Sequence, residues 1–221
     1  MKNITLISIC DQEKFEPTVK AMEYSMKDLD FYDSIIVTDK VCSHDKINII
    51  STGKLSLIDY NKFCIYELYK IIKSEFCLLM QWDGFVINPS LWSDDFLNYD
   101  YIGAPWDHAS SKNKIGNGGF SLRSKKFMEA GSKLKYNPKE CEYLYDWQKQ
   151  FRDTTPEDWF MCYESYEKML EQGIKFPSVK TAAKFSVEHP IPCHPFNRQD
   201  PKTYNSFGFH GHFNQGAMNL L

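Results

Sequence analysis

The chain has 221 residues, 43 % hydrophobic and 25 % charged, enough for one domain with a well-buried core. Its 26 basic residues against 29 acidic ones give a net charge of −3 with no basic block, which argues against a nucleic-acid partner. No stretch approaches the roughly 18 consecutive apolar residues of a membrane span, so no transmembrane segment is expected.

The apolar start Ile4–Cys10 is too short for a secretion signal. The seven cysteines lack any CxxC spacing and mostly sit in apolar runs, as small buried hydrophobes do in a reducing compartment. The expected location is cytoplasmic.

In chain order, Ile4–Cys10 ends at Asp11 and reads as a buried parallel strand. Pro17 opens a helix running to about Leu29. Ser34–Thr38, closed by Asp39, and Ile47–Ile50 are two further β-branched runs. From Leu57 to Ser74, Cys64, Ile65, Leu68, Ile71 and Ile72 recur at helical spacing, with Lys70 and Lys73 in the last turn. Phe76–Met80 is a fully apolar strand that runs into Gln81-Trp82-Asp83-Gly84. This alternation predicts an α/β fold with a mostly parallel sheet. Ligands of such sheets bind beyond the carboxyl ends of strands, where Asp11, Asp39 and Asp83 fall.

The second half differs. It holds Gly116-Asn117-Gly118-Gly119, the short strand Phe120–Arg123, a helix from Pro156 to Gln172 ended by Gly173, and a Pro/His/Asn-rich tail. One domain is expected, with a nucleotide-binding half over 1–106 and an acceptor-binding half over 107–221. The tail between His189 and Asn214 carries Phe196, Tyr204, Phe207, Phe209 and Phe213, which predicts that it wraps over the sheet.

Several groups could carry chemistry. Asp83 before Gly84 is either an Asp-Gly turn or a hard oxygen ligand for a cation or a ribose. Three glycines within 116–119 let backbone N–H groups approach a ligand, although the order is neither that of a P-loop nor of a dinucleotide site. Arg123 is a candidate phosphate clamp or an ion-pair partner. Thr155-Pro156-Glu157-Asp158 reads as a capped helix start, resembling a capping box; a carboxylate there can also face a cleft and take a proton. His210 and His212 fall on one face of an extended chain and are candidate ligands for Mn²⁺ or Zn²⁺. His189 and His194, among prolines, read as structural, and His44 and His108 lack a context that favours a role.

Gln81-Trp82-Asp83-Gly84-Phe85, Tyr101-Ile102-Gly103-Ala104-Pro105-Trp106, Gly116–Arg123, Glu157-Asp158 and His210-Gly211 together resemble GT-A-fold glycosyltransferases. More closely, they are similar to a family of sugar transferases of bacterial and viral polysaccharide gene clusters. The resemblance implies a GT-A-like α/β/α sandwich whose mostly parallel sheet joins a Rossmann-like half to an acceptor-binding half. It implies a nucleotide-sugar donor, UDP-linked by expectation, a glycan or lipid-linked acceptor hydroxyl, and inversion at the anomeric carbon.

Within it, Asp83 matches the last Asp of a DxD motif and His210 a histidine completing a Mn²⁺ or Mg²⁺ site, with Gln81 in place of the first Asp. Asp158, beside Glu157, matches the general base. Asp11, Asp39, Gln81, Trp82, Gly118, Gly119 and Arg123 fall on the donor side, and Trp106 and Trp159 on the acceptor side. A lipid-linked acceptor would bring the protein to a membrane surface without a span. The alternatives are a nucleotidyltransferase making the activated sugar and a non-catalytic nucleotide-sugar or glycan-binding protein.

Overall fold

Strand β1 (Ile4–Cys10) is apolar on both faces because it lies inside a sheet. Ile7 stands between Ile35 of the parallel strand β2 (Asp33–Thr38) and Leu79 of the parallel strand β4 (Phe76–Met80). Strand β3 (Asn48–Ser51) pairs in parallel outside β2. Beyond β4 the pattern reverses, with β6 (Phe120–Ser124) antiparallel to both β4 and the short β5 (Tyr101–Gly103).

The six strands follow the order β3-β2-β1-β4-β6-β5. This computed structural model describes residues 1–106, 112–142 and 146–221. His108 lies outside the described residues.

The order has one consequence for function. The chain steps from β1 to β2 to β3 and then jumps back across β1 to β4, so the carboxyl ends of β1 and β4 part at a switch point. Because β6 runs the other way, its beginning lies at that same edge: Met80 pairs with Phe120, and Gln81 N–H donates to Gly119 O at 2.9 Å. Asp11, Asp39, Gln81–Asp83 and the glycine-rich loop are thereby gathered along one rim.

The helices depart from the sequence pattern in informative places. Helix α1 (Phe15–Met26) starts two residues before Pro17, whose missing N–H is harmless within the first turn. The predicted helix Leu57–Ser74 divides at Glu67 into α2 (Leu57–Tyr66), capped by Ser56, and α3 (Leu68–Ile71). Helix α4 (Lys125–Ser132) is capped by Ser124 and follows β6 directly.

The predicted helix Pro156–Gln172 is α5 (Glu157–Trp159), a π-helical turn (Phe160–Glu164) and α6 (Tyr166–Glu171). Four successive residues, Phe160 to Tyr163, are buried there, which one face of a regular helix cannot achieve. The capping box does not form. Thr155 Oγ1 donates to Pro138 O at 3.0 Å, and no side chain caps α5.

After α7 (Val179–Phe185) comes a second, two-stranded sheet, β7 (Ser186–Val187) parallel to β8 (Gly208–Phe209), and the chain closes with α8 (Gln215–Met218). The tail wraps the body as its aromatics predicted. Phe209 meets Phe85 edge-on at 4.7 Å, and Phe207 packs on Trp92 at 5.2 Å. Each such buried ring contributes about 1.5–3 kcal/mol of transfer free energy. Of the cysteines, Cys64, Cys77 and Cys162 are buried, Cys193 is exposed and the other three lie between. Among the described residues no helix is long and apolar enough to cross a membrane.

Candidate active site

Two cavities adjoin along the rim. The larger, about 350 Å³, is walled by Cys10, Asp11, Lys14, Asp39 and Trp82. The smaller, about 160 Å³, is walled by Asn117, Gly118, Gly119, Glu157, Asp158 and His210. Leu57, Tyr60 and Gln81 line both, so the two form one continuous cleft across the switch point. Of the residues singled out in the sequence, Asp11, Asp39, Gln81, Trp82, Gly118, Gly119, Glu157, Asp158 and His210 line it.

In the larger cavity, Asp39 Oδ1 accepts the Gln12 N–H at 2.6 Å, and Asp11 Oδ1 accepts the Lys14 N–H at 3.0 Å. These bonds shape the loop after β1 and bring the Lys14 ammonium 4.0 Å from the Trp82 ring centroid, a cation–π contact. Lys14 has no signal of its own in the sequence beyond the acidic turn that precedes it. Tyr60, another missed residue, donates nothing to the chemistry as a phenolate, since burial pushes its pKa well up; it receives a hydrogen bond from Gln81 Nε2 at 3.2 Å.

In the smaller cavity, Asp158 is held at both oxygens. Gly118 N–H donates to Oδ2 and Trp159 N–H to Oδ1, each at 2.7 Å. Burial and the adjacent Glu157 carboxylate push its pKa up to about 7, against the pull of these two N–H groups and of Arg123. A carboxyl group poised there suits proton transfer near neutral pH.

Glu157 has a different environment. Its carboxylate and the Arg123 guanidinium form a two-pronged ion pair, Nη2–Oε1 2.8 Å and Nη1–Oε2 3.0 Å, with side chains 4 % and 0 % exposed. Arg123 Nε also donates to Ser121 Oγ at 2.9 Å. A guanidinium so enclosed does not reach the cleft as a phosphate clamp; it ties β6 to the start of α5 beneath the glycine loop. The pKa of Arg123 lies well above its ordinary value, because Glu157 and its hydrogen bonds outweigh the desolvation that opposes the charge.

The two loop glycines matter for space. Their N–H groups are already taken, Gly118 by Asp158 and Gly119 by Asn117 Oδ1 at 3.2 Å. A Cβ on Gly118 would lie 2.8 Å from Glu157 Oε1, and one on Gly119 only 2.0 Å from His210 Nε2. Only glycine lets the loop lie this close to Glu157 and His210.

Asp83 is 7 % exposed and walls neither cavity. It stands behind His210, with Oδ1 3.7 Å from Nε2, while Oδ2 accepts the His212 N–H at 3.0 Å and its backbone oxygen accepts the Gly211 N–H at 2.9 Å. Asp83 and Asp158 therefore share no cavity; His210, which lines the smaller one, stands against Asp83. His210 Nε2 lies 3.2 Å from Gln81 Oε1, and Nδ1 lies 3.0 Å from Glu188 Oε1. Desolvation opposes a charge on this ring, yet the bond to Glu188 and the carboxylates of Glu188 and Asp83 hold its pKa above the ordinary value.

Among the described residues no three His, Cys, Asp or Glu side chains surround one point. The donor set here is one carboxylate, one imidazole and one amide oxygen, with Glu188 on the far ring nitrogen. Two oxygens and one nitrogen, backed by a carboxylate–histidine contact, fit a divalent cation of the Mn²⁺ type that takes further ligands from a substrate.

The two expected acceptor tryptophans pack elsewhere. Trp106 and Trp159 are 7 % and 5 % exposed, stand 5.2 Å apart, and Trp159 stacks on Tyr163 at 4.1 Å. Trp106 also covers Gly116, where a Cβ would lie 2.1 Å from its ring. Both shape the core beside the cleft and line neither cavity.

An open sheet of order β3-β2-β1-β4-β6-β5, with a cleft of carboxylates, glycines and a tail histidine on its carboxyl edge, defines a GT-A-like fold. A glycosyltransferase involved in glycosylation of the major capsid of PBCV-1 superposes with a TM-score of 0.50 at 13 % identity, over 99 % of each chain. The chain belongs to the family described as "Protein of unknown function (DUF5672)", whose model matches residues 50–210.

Two structures of LgtC also align over 94 % of this chain and 87 % of theirs. They are an active-site mutant (TM-score 0.46, 14 % identity) and the galactosyltransferase in complex with donor and acceptor sugar analogues (0.45, 12 %). No curated protein sequence matches the chain.

Proposed function

We propose that this protein is a glycosyltransferase that moves a sugar from a nucleotide-sugar donor to a hydroxyl of a glycan or lipid-linked glycan. The observation that supports this reading is the single cleft, with a nucleoside-sized cavity at one end and a half-buried carboxyl group of pKa about 7 at the other. The nucleoside, uridine by first choice, lies in the larger cavity against Asp11, Asp39 and Trp82. The diphosphate crosses by Gln81 toward His210, with Lys14 a flexible cation on the wall of the larger cavity. The sugar occupies the smaller cavity against Gly118 and Gly119.

Asp158 accepts the proton of the acceptor hydroxyl as its oxygen bonds to the anomeric carbon. The bond from that carbon to the diphosphate breaks, and its electron pair leaves on the diphosphate oxygen. Attack from the side opposite the leaving group inverts the anomeric centre. Such a base contributes roughly 10²–10⁴-fold. Asp83, His210 and the Gln81 amide oxygen would hold a divalent cation, Mn²⁺ or Mg²⁺, whose charge neutralises the departing diphosphate. Glu157 is tied up by Arg123 beneath the glycine loop and is not the base.

The test is a panel of nucleotide sugars scored by thermal stabilisation and then by turnover, with Mn²⁺ and with EDTA. A true donor raises the melting temperature by mass action, more so with Mn²⁺, and is consumed in the presence of an acceptor. Stabilisation by none of the panel would refute the reading. Full turnover in EDTA would remove the cation from it.

A further inference from the structure

The cleft is rich in acid and poor in base. Asp11 and Asp39 line its larger cavity and Asp158 its smaller one, and Lys14 is the only lysine or arginine among the described residues on either wall. The arginines do not make up the difference. Arg123 is closed in its pair with Glu157, Arg152 lines neither cavity, and Arg198 is held in the tail, against His189 and over the Phe213 ring at 4.9 Å. A phosphate chain entering this cleft meets walls that already carry negative charge, and like charges repel unless a cation stands between them.

Lys14 combines a fixed backbone with a free side chain. Its N–H donates to Asp11 O at 3.2 Å as well as to Asp11 Oδ1, and its carbonyl accepts the Thr18 N–H at 2.9 Å, at the start of α1. The side chain is exposed, a flexible four-carbon stem with three donors at its tip. Asp11 and Glu13 are close in sequence, yet the ammonium forms no ion pair with a described carboxylate and lies over the Trp82 ring. Trp82 directly follows Gln81, which lines both cavities, so the charge stands beside the passage between them. An exposed ring holds a cation weakly, whereas a phosphate oxygen gives it a charge-assisted hydrogen bond. A phosphate placed in the passage therefore wins the ammonium from the ring.

We infer that Lys14 is the side chain by which the cleft recognises the phosphate chain of its donor. The Trp82 ring holds the ammonium ready in the free protein, and the phosphates draw it off the ring. This deepens the donor reading above and rests on it.

The experiment titrates the full chain by calorimetry with uridine, UMP and UDP, all in EDTA so that no divalent cation contributes. Wild type is expected to bind more tightly with each added phosphate. Lys14→Met, a change at an exposed side chain, is expected to bind uridine as wild type does and UDP about tenfold more weakly. That is the low end for a charged hydrogen bond, because the ammonium is open to solvent. Lys14→Arg, which keeps the charge, is expected to recover part of the loss. Added salt should weaken UDP binding more steeply in wild type than in Lys14→Met, since screening acts on the missing charge.

A second readout follows the indole N–H signal of Trp82, assigned by its loss in Trp82→Phe. UDP is expected to move it further than uridine does, and Lys14→Met to remove that difference. A folded Lys14→Met protein that keeps the wild-type preference for UDP over uridine overturns the inference and leaves the donor reading standing. Equal binding of uridine and UDP by wild type does the same. Binding of neither by wild type refutes the uridine donor itself, and the role of Lys14 falls with it.

Discussion

Replacing Arg123 by Met separates a ligand contact from an internal brace. The guanidinium is 0 % exposed and makes both of its Glu157 contacts at 3.0 Å or less, so its removal leaves a carboxylate that is 4 % exposed with no cation beside it. Breaking a buried pair in this way costs about 3–5 kcal/mol, far more than losing a surface pair. For a chain of this length each kcal/mol moves the melting temperature by about 2–4 °C, so Arg123→Met should melt roughly 6–20 °C lower.

The double replacement Arg123→Met/Glu157→Met puts two apolar chains of similar volume in the same space and should recover most of that loss, because no charge is then stranded. Thermal unfolding of the wild type, two singles and the double gives the coupling directly. UDP titration of each folded variant gives the other half. An Arg123→Met protein that melts with the wild type yet loses UDP affinity would refute the brace, since that pattern belongs to a side chain that touches the diphosphate. Additive losses in the double would refute it too.

Three further outcomes follow from the smaller cavity. Asp158→Asn should lower the transfer rate by roughly 10²–10⁴-fold while UDP affinity stays within a few-fold, and unchanged turnover would dismiss Asp158 as the base. Because burial and Glu157 lift its pKa to about 7, the active carboxylate form grows as pH rises, so the wild-type rate should climb through pH 7 and level off above it. A rate already flat from pH 5 would contradict that. Gly119→Ala should displace His210, whose Nε2 would lie 2.0 Å from the new Cβ, at a cost of about 1–3 kcal/mol in stability from overpacking. It should also lower Mn²⁺ affinity, and wild-type affinity in a folded Gly119→Ala protein would show that the ring is not where the cation binds.

The rim of the cleft was legible because parallel strands carry their own signature. Each buried run, Ile4–Cys10, Ser34–Thr38 and Phe76–Met80, is largely apolar and stops at a polar residue, so Asp11, Asp39 and Gln81–Asp83 mark the carboxyl edge without any tertiary information. What lies across the sheet from a side chain has no such signature. Arg123 sits on a strand of five residues that reads equally well exposed or buried; that it faces Tyr101 and Cys77 in the ladder is a property of the pairing, not of its neighbours in sequence. Glu188 was invisible for the same reason, since its partner lies 22 residues away and meets it only because β7 and β8 run parallel.

The Glu157-Asp158 dipeptide shows what that missing knowledge decides. Two adjacent carboxylates with the same local chemistry end in different states because Arg123 is spent on Glu157. Glu157 is closed in an ion pair, and its charge adds to burial in raising the pKa of the carboxyl beside it. Had Arg123 taken the other of the two roles its sequence allows and faced the cleft, Glu157 would have stood beside Asp158 without its cation. On the proposed reading the buried brace selects Asp158 as the base, and a folded Arg123→Met protein should lose the simple rise of rate through pH 7 even where substrate still binds.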